Sequence, residues 1–183
     1  MIKRSFIKGL IIIFVFLVLL TGLSGCRLFF ESGPDNLTFY RVKITRVIDG
    51  DTVYARFPDG SEEKVRLIGV DAPEINHPTK GLEAFGPEAE AYTRARLKGE
   101  TIWLEYDLEE WDQYGRLLAY IWLAVPEEFS DREIRHKLFN AILLLEGYAV
   151  QVVFEPNVKY VNYFSDYETE AQAKGKGLWG LED

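Results

Sequence analysis

Three short runs of β-forming residues between positions 39 and 70 limit the folds that are open to this chain. Asp, Gly and Pro, which are typical of turns, separate the runs. In the first run Tyr40, Val42, Ile44 and Arg46 alternate on one side, which is the pattern of a strand. The pattern predicts that the domain opens with a β-meander. The three predicted strands are FYRVKITRVI, DTVYARF and EKVRLIGV, at 39–48, 51–57 and 63–70.

A helix and two further strands are predicted after the meander. The helix covers 86–99, because Pro87 stands where a first turn tolerates proline, acids precede bases and Gly99 ends the run. The strands are TIWLEY and LLAYIWL, at 101–106 and 117–123.

The C-terminal third predicts helices, because two apolar stripes recur there at helical spacing. Five short strands, one helix after the third strand and helices at the end predict an α+β fold, a five-stranded OB-type β-barrel with about three helices. Such barrels commonly bind nucleic acid, although a fold alone assigns no function. The stripes are Ile134, Leu138, Ile142 and Leu145, and then Tyr160, Phe164, Tyr167 and Ala171.

The N-terminus indicates export. Lys3, Arg4 and Lys8 precede the run LIIIFVFLVLL at 10–20, which is shorter than the roughly 20 apolar residues that span a bilayer. A permanent transmembrane helix is the alternative. The segment LSGC resembles the bacterial lipoprotein box, which implies that Cys26 becomes the lipidated N-terminus. A chance run of small residues is the alternative.

These signals predict a signal peptide at 1–25, a lipid-anchored tether at 26–37 and one domain at 38–183. Cys26 is the single cysteine, so neither an internal disulfide nor a thiolate metal cluster is possible. Without the first 25 residues the chain has 18 basic and 29 acidic residues, a net charge of −11. General attraction to nucleic acid is therefore not expected, and binding requires a local basic site.

Two carboxylates flank a glycine in VIDGDTV, at 47–53. Taken alone, Asp-Gly is a hairpin turn signal. In a regular strand Asp49 and Asp51 would lie on the same side, about 6.8 Å apart. One of the two could then bind a metal ion while the other orients it. The carboxylates of Asp51 and Asp71, with waters and a backbone carbonyl, would suit a hard cation such as calcium. Zinc is disfavoured, because the chain has two histidines and no free thiolate.

Strand alternation is an obstacle to a shared site. Arg66 and Asp71 would lie on opposite faces of a continuous strand, and a bulge at Gly69 would bring them to the same face. Pro73 then holds Glu74 in a fixed turn at the strand exit.

The chain from Thr38 to Trp179 resembles the staphylococcal nuclease (thermonuclease) family. The resemblance rests on four segments in the family's order and near its spacing. They are IDGDT, RLIGVDAPE, HPTKGLEAFGPEA and YGRLLAY.

The resemblance implies roles for the acidic residues. Asp51 and Asp71 match the calcium ligands, together with the main-chain carbonyl of Ala72, where the best-known members have Thr. Glu74 matches the carboxylate that orients or deprotonates the attacking water. Asp49 matches an acid just outside the ligand set. The implied reaction cuts DNA and RNA at the bond to the 5′-oxygen and leaves 3′-phosphates.

The resemblance also implies the groups that hold substrate. Arg66 and Arg116 match the two catalytic, phosphate-binding arginines, whose planar forks meet two phosphate oxygens at once. Gln113 and Tyr114 match substrate-binding positions, although Gln113 replaces a lysine. The segment AVQVVFEPN lacks the tyrosines of the family's nucleotide pocket, and 126–141 is longer than the family minimum.

The leading hypothesis is a calcium-dependent nuclease that acts as a monomer on DNA and RNA. Its domain would lie outside the cytoplasm, anchored to a bacterial membrane by lipid on Cys26. One alternative is an OB-type nucleic-acid or protein binding lipoprotein with weak or lost catalysis. Another is a calcium-binding envelope lipoprotein with no nucleic-acid role.

Overall fold

A computed structural model describes residues 30–34, 37–75 and 81–181 of the chain. The predicted signal peptide, Cys26, half of the predicted tether and His77 lie outside these ranges. Within them, no helix is long and apolar enough to cross a membrane.

The described chain contains eight strands and four α-helices, followed by a short 3₁₀ helix. The strands are β1 (Phe30–Ser32), β2 (Thr38–Val47), β3 (Thr52–Arg56), β4 (Glu62–Leu67), β5 (Val70–Asp71), β6 (Thr101–Glu105), β7 (Leu117–Trp122) and β8 (Val150–Gln151). The helices are α1 (Gly86–Leu97), α2 (Asp131–Lys137), α3 (Phe139–Leu145) and α4 (Val161–Ala173), with the 3₁₀ helix at Gly177–Gly180.

Five of these strands form a closed barrel in the order β2–β3–β4–β7–β6, and pairing of β6 with β2 closes it. The β4–β7 pair is parallel and the other barrel pairs are antiparallel, so the sheet is mixed. The predicted α+β, OB-type barrel of five strands is confirmed. Outside the barrel, β1 pairs with β2, and β5 pairs with β8 in a separate two-stranded sheet.

Strand β2 departs from the predicted alternation at Thr45. Val42 and Ile44 are buried as expected, but the register against β3 shifts between Ile44 and Arg46. A bulge of this kind places one extra residue on a strand and reverses its parity. Arg46 is therefore exposed and Val47 lies in the core.

The first C-terminal stripe forms two helices where one was expected. Leu138 has extended backbone angles of φ −84° and ψ 108° between α2 and α3, and it forms a β-bridge with Trp122. The side chains of Ile134 and Leu138 nevertheless remain fully buried. The pairing with the end of β7 interrupts the helix without changing which face is apolar.

A buried asparagine joins the helices to the barrel near the candidate site. The Asn140 side chain is fully buried, its Oδ1 accepts from the backbone N–H of Ile121 at 2.9 Å, and its Nδ2 donates to the carbonyl of Ile68 at 2.8 Å. These bonds fix α3 against β7 and against the turn after β4, because a buried amide must satisfy its polar atoms.

Candidate active site

The Asp-Gly segment forms the hairpin turn between β2 and β3. The backbone N–H of Asp51 donates to Asp49 Oδ1 at 3.1 Å, and that of Ile48 donates to the Thr52 carbonyl at 2.9 Å. Both acids are buried. The hairpin interpretation is correct, and the strand geometry considered for the two acids does not apply because the chain reverses here.

Close packing explains the glycine of this turn. A Cβ on Gly50 would lie 2.4 Å from the Ala72 Cβ and 3.0 Å from the Ala89 Cβ. The Thr93 hydroxyl of α1 donates to the Gly50 carbonyl at 2.8 Å. The turn is thus held between α1 and the segment that follows β5, which fixes the positions of the two acids.

Arg66 is the centre of the acidic cluster. Its buried guanidinium places Nε 3.2 Å from Asp51 Oδ1 and Nη2 2.7 Å from Asp71 Oδ1. Its Nη1 donates to the carbonyls of Leu67 and Val70 at 2.8 and 2.7 Å. A planar fork with five donors suits such a set of oxygens, which a lysine could not match.

Gly69 allows Arg66 and Asp71 to meet. Strand β4 ends at Leu67, and Gly69 has a φ of +79°, a left-handed conformation that favours glycine. A Cβ there would also lie 2.6 Å from the Phe164 ring. The predicted change of parity at Gly69 is present, although it takes the form of a tight turn between β4 and β5 in place of a bulge in one continuous strand.

The buried acids carry more negative charge than the arginine neutralises. Burial raises the pKa of Asp51 to about 7, and the Arg66 charge opposes this shift. Burial also raises the pKa of Asp49, and the charge of Glu74 adds to the increase. Asp51 Oδ2 accepts from the backbone N–H of Ala72 at 2.7 Å, so its position is fixed by the main chain.

A pocket of about 210 Å³ opens beside this cluster. Glu74 lies on its wall, and the loop holds that residue through two bonds with Glu83, one from the Glu74 N–H to Glu83 Oε2 and one from the Glu83 N–H to the Glu74 carbonyl, both 2.9 Å. The pocket therefore combines acidic and basic groups. Its lining residues are Ile48, Asp49, Thr52, Lys64, Glu74, Ile75 and Arg116.

Arg116 also lines a second pocket, of about 300 Å³, so it lies between the two. Its Nε donates to Asp112 Oδ2 at 2.6 Å, and its guanidinium carbon lies 5.4 Å from the centre of the exposed Tyr114 ring. Gln113 and Phe154 line this second pocket as well, and the Phe154 ring centre is 5.4 Å from the guanidinium carbon of Arg66.

The predicted site residues therefore assemble in one region. Asp51 and Asp71 contact Arg66, and Asp51 also binds the main chain of Ala72. Asp49, Glu74 and Arg116 share one pocket, and Gln113, Tyr114 and Arg116 share the next. Their roles stay predictions, as does the role of Cys26, which lies outside the described residues. His136 is exposed on α2, where Nδ1 lies 2.7 Å from the Arg132 carbonyl, and takes no part in this site.

Sequence reasoning missed four residues of this region: Lys64, Thr52, Asp112 and Phe154. Lys64 stands two residues before Arg66 on β4, so strand alternation could have placed it on the same face. Thr52 follows Asp51 and donates to its Oδ1 at 3.0 Å. Phe154 carried no local signal, because the fold brings it to Arg66 from a distant segment.

A hard cation fits the chemistry of the donor set. The described residues contain no ready cluster of three or more His, Cys, Asp or Glu side chains around one point. The Asp51 and Asp71 carboxylates nevertheless contact the same guanidinium, at Nε and Nη2, and the Asp71 side chain is 59% exposed. Calcium prefers oxygen ligands, and here carboxylate oxygens carry excess negative charge where water can also reach.

The family model and the relatives named here are all nucleases. A family model described as "Staphylococcal nuclease homologue" matches residues 64–180. The chain is 34% identical over 182 residues to a thermonuclease of Staphylococcus hyicus, covering 96% of this chain and 98% of that protein. It is 39% identical over 136 residues to a thermonuclease of Staphylococcus intermedius, covering 74% of each. It is 33% identical over 140 residues to endonuclease YncB of Bacillus subtilis, covering 75% of this chain and 61% of that protein.

Proposed function

Because the chain belongs to the staphylococcal nuclease family and is a nuclease, we propose that it is a calcium-dependent phosphodiesterase that hydrolyses DNA and RNA and leaves 3′-phosphates. The observation that carries the proposal is the buried Arg66 guanidinium, which joins Asp51 and Asp71 beside the pocket that contains Glu74 and Arg116.

The arginines would act on the charge that develops at phosphorus. Attack by water forms a new bond to phosphorus and builds negative charge on the equatorial phosphate oxygens. The bond to the 5′-oxygen breaks, and that oxygen leaves with the bonding electron pair and takes a proton from solvent. Guanidinium groups that are already held in place stabilise this charge more than that of the ground state. Arg66 is held by two acids and two carbonyls, and Asp112 orients Arg116.

Glu74 would position the attacking water and take its proton. It faces the same pocket as Arg116, and the loop bonds to Glu83 limit its movement. A general base needs to reach the water that it activates, and a carboxylate that lines the same pocket as a phosphate-binding arginine meets that need.

Asp51, Asp71 and the main chain of Ala72 would hold calcium. When bound, calcium would supply positive charge that polarises the phosphodiester and offsets the charge of the acids. Asp49 would support this set, because its carboxylate holds the Asp51 backbone N–H.

One assay tests the catalytic proposal. The full-length protein, kept in detergent micelles, is incubated with DNA or RNA in the presence of calcium, magnesium or a chelator. We expect cleavage with calcium, loss of cleavage with the chelator and products that end in 3′-phosphate. Arg116→Ala is expected to lower kcat about 10²-fold or more, whereas Arg132→Ala on α2 serves as a matched control. Tight binding without cleavage would contradict the proposal.

We also propose that the nuclease acts outside the cytoplasm, anchored by lipid on Cys26. The proposal rests on the charged segment, the apolar run and the LSGC sequence of the N-terminus. Cells that express the wild-type chain and take up radiolabelled palmitate should label it, and Cys26→Ser should abolish the label. A wild-type chain that stays unlabelled and keeps its first 25 residues would overturn this assignment.

A further inference from the structure

The outer face of β2, β3 and β4 carries a group of basic side chains, here called the basic track. The track consists of Arg41, Lys43, Arg46, Arg56 and Lys64. Resting on the proposed function, we propose that the basic track is an extended binding surface for single-stranded DNA or RNA and guides the strand into the catalytic pocket.

Strand pairing puts these side chains in adjacent rows. Arg46, Tyr54 and Lys64 lie opposite one another across the three strands. Lys43 and Arg56 are partners in a second row. Side chains two residues apart on a strand share a face, so successive rows are about 6.8 Å apart and run along the strands.

The track begins at the catalytic pocket. Lys64 lines that pocket together with Asp49, Glu74 and Arg116, and it precedes Arg66 by two residues on the same face of β4. The track ends at another pocket, of about 220 Å³, lined by Arg41, Lys43 and Arg56. Phe57 and Pro58 form an apolar wall of this far pocket.

Most of the positive charge on the track is free to meet a ligand. Arg41, Lys43, Arg46 and Lys64 form no salt bridge with any residue that the structure describes. Glu62 shares this face, but its Oε1 is bound by Arg56 at 3.1 Å and by the Thr45 hydroxyl at 2.8 Å.

The Glu63 side chain lies away from the track. Glu63 is the partner of buried Ala55 and its charge acts on Tyr106, which places it toward the other side of the sheet. Counting Glu62 against the five bases therefore leaves the track strongly positive.

A polyanion is the occupant that this charge favours. The chain as a whole has a net charge of −8, so general attraction to nucleic acid is absent and a local basic surface must supply it. The Arg46 guanidinium carbon lies 4.0 Å from the centre of the Tyr54 ring, so an aromatic ring lies among the charges of the track. Cations interleaved with aromatic rings are typical of single-strand binding. Continuity with the catalytic pocket favours a nucleic-acid strand over a membrane.

The test compares a long and a short substrate. The full-length Arg41→Ala/Lys43→Ala variant is measured against wild type on a dinucleotide and on a single strand of about 16 nucleotides, the upper site size of one OB-fold. Strand binding is measured in parallel by fluorescence anisotropy over a range of salt. Arg132→Ala/Lys174→Ala, which removes the same charge from α2 and from the end of α4, is the matched control.

We expect the variant to lose binding and kcat/KM on the long strand while its kcat/KM on the dinucleotide changes little. Loss of two phosphate contacts should flatten the plot of log affinity against log salt by about 1.4, since each contact contributes about 0.7 for single strands. The ratio of the affinity at 0.1 M salt to the affinity at 1 M salt should therefore be about 25-fold smaller for the variant than for wild type. The matched control should keep the wild-type slope.

Other outcomes would contradict the proposed binding role of the basic track, and they can be told apart from a failure of the nuclease proposal. Equal strand affinity and equal salt slopes for the variant and the control would refute the track, even if wild type cuts both substrates. If wild type cuts neither substrate, the catalytic proposal fails, and the anisotropy slopes still decide whether the track binds nucleic acid. If the variant loses only its binding to vesicles of anionic lipid, the surface is a membrane contact and the track is refuted.

Discussion

Carboxylates are buried at two places in the part of the chain that the structure describes, and the fold neutralises them to different extents. Glu105 at the end of β6 is 1% exposed, and its oxygens accept from Trp122 Nε1 at 2.6 Å and from the Tyr160 hydroxyl at 2.9 Å. Lys159 forms a salt bridge with the same carboxylate. Asp49 and Asp51 are also buried, and burial raises the pKa of both. Asp51 shares the guanidinium of Arg66 with Asp71.

The difference separates a carboxylate that the fold neutralises from carboxylates that it leaves with excess negative charge. At Glu105 one negative charge meets a lysine and two neutral donors, so the protein itself satisfies the buried group. At the Asp51 cluster several acids meet one arginine, and the remaining negative charge adjoins open pockets. A buried charge that the fold leaves uncompensated favours a site that needs an external cation.

Removing Glu105 should produce the largest loss of stability. Glu105→Ala leaves Lys159 and two hydrogen-bond donors without their buried partner, and breaking such a pair costs about 3–5 kcal/mol. Urea unfolding followed by circular dichroism measures the loss. The kcat per folded molecule should stay near wild type, and a selective loss of kcat in a stable Glu105→Ala protein would contradict the structural role.

The arginine of the other cluster should show the reverse pattern. Arg66→Lys keeps the charge but loses the fork that reaches Asp51 and Asp71 together, so we expect kcat to fall about 10²–10³-fold. Steady-state cleavage of a single strand measures this effect, with unfolding curves to correct for any loss of folded protein. Activity close to wild type would show that the paired contacts are not needed for catalysis.

Calcium should distinguish the clusters in a stability measurement without substrate. A ligand at 100 times its Kd stabilises the folded state by about 2.7 kcal/mol. We expect added calcium to raise the Tm of wild type and of Glu105→Ala, and to leave the Tm of Asp51→Ala unchanged. Magnesium at the same ionic strength controls for screening, and a calcium shift that persists in Asp51→Ala would place the ion elsewhere.

The tyrosine beside Glu105 should make the smallest contribution, visible at alkaline pH. Burial, reinforced by the Glu105 charge, raises the pKa of Tyr160 far above its ordinary value of 10.0. The folded state thus keeps the proton while the unfolded chain loses it, so stability is fully present below pH 10 and falls as the pH rises beyond it. Tyr160→Phe removes this titrating group, and we expect a shallower decline of the unfolding free energy between about pH 10 and 11. An equally steep decline in the variant would assign the effect to other groups.

The sequence determined the architecture and the chemical types in the site. Turn residues between β-forming runs and stripes at helical spacing depend on neighbours in the chain, and for that reason the five barrel strands and the helix faces were predictable. Asp51, Asp71, Arg66 and Arg116 were predictable as a set because their residue types and order resemble one family. Where backbone pairing interrupts a local pattern, as at Thr45 and Leu138, the prediction was wrong in detail.

Only the tertiary structure decided how these groups are neutralised. Nothing local to Glu105 indicates that Lys159 and Tyr160 from a distant segment meet it, and nothing local to Arg66 indicates Phe154. The row that aligns Arg46 with Lys64, on either side of Tyr54, likewise depends on the bulge in β2 and on the pairing of three strands. Burial and electrostatic balance are properties of all the neighbours in space, and a linear pattern records only the neighbours along the chain.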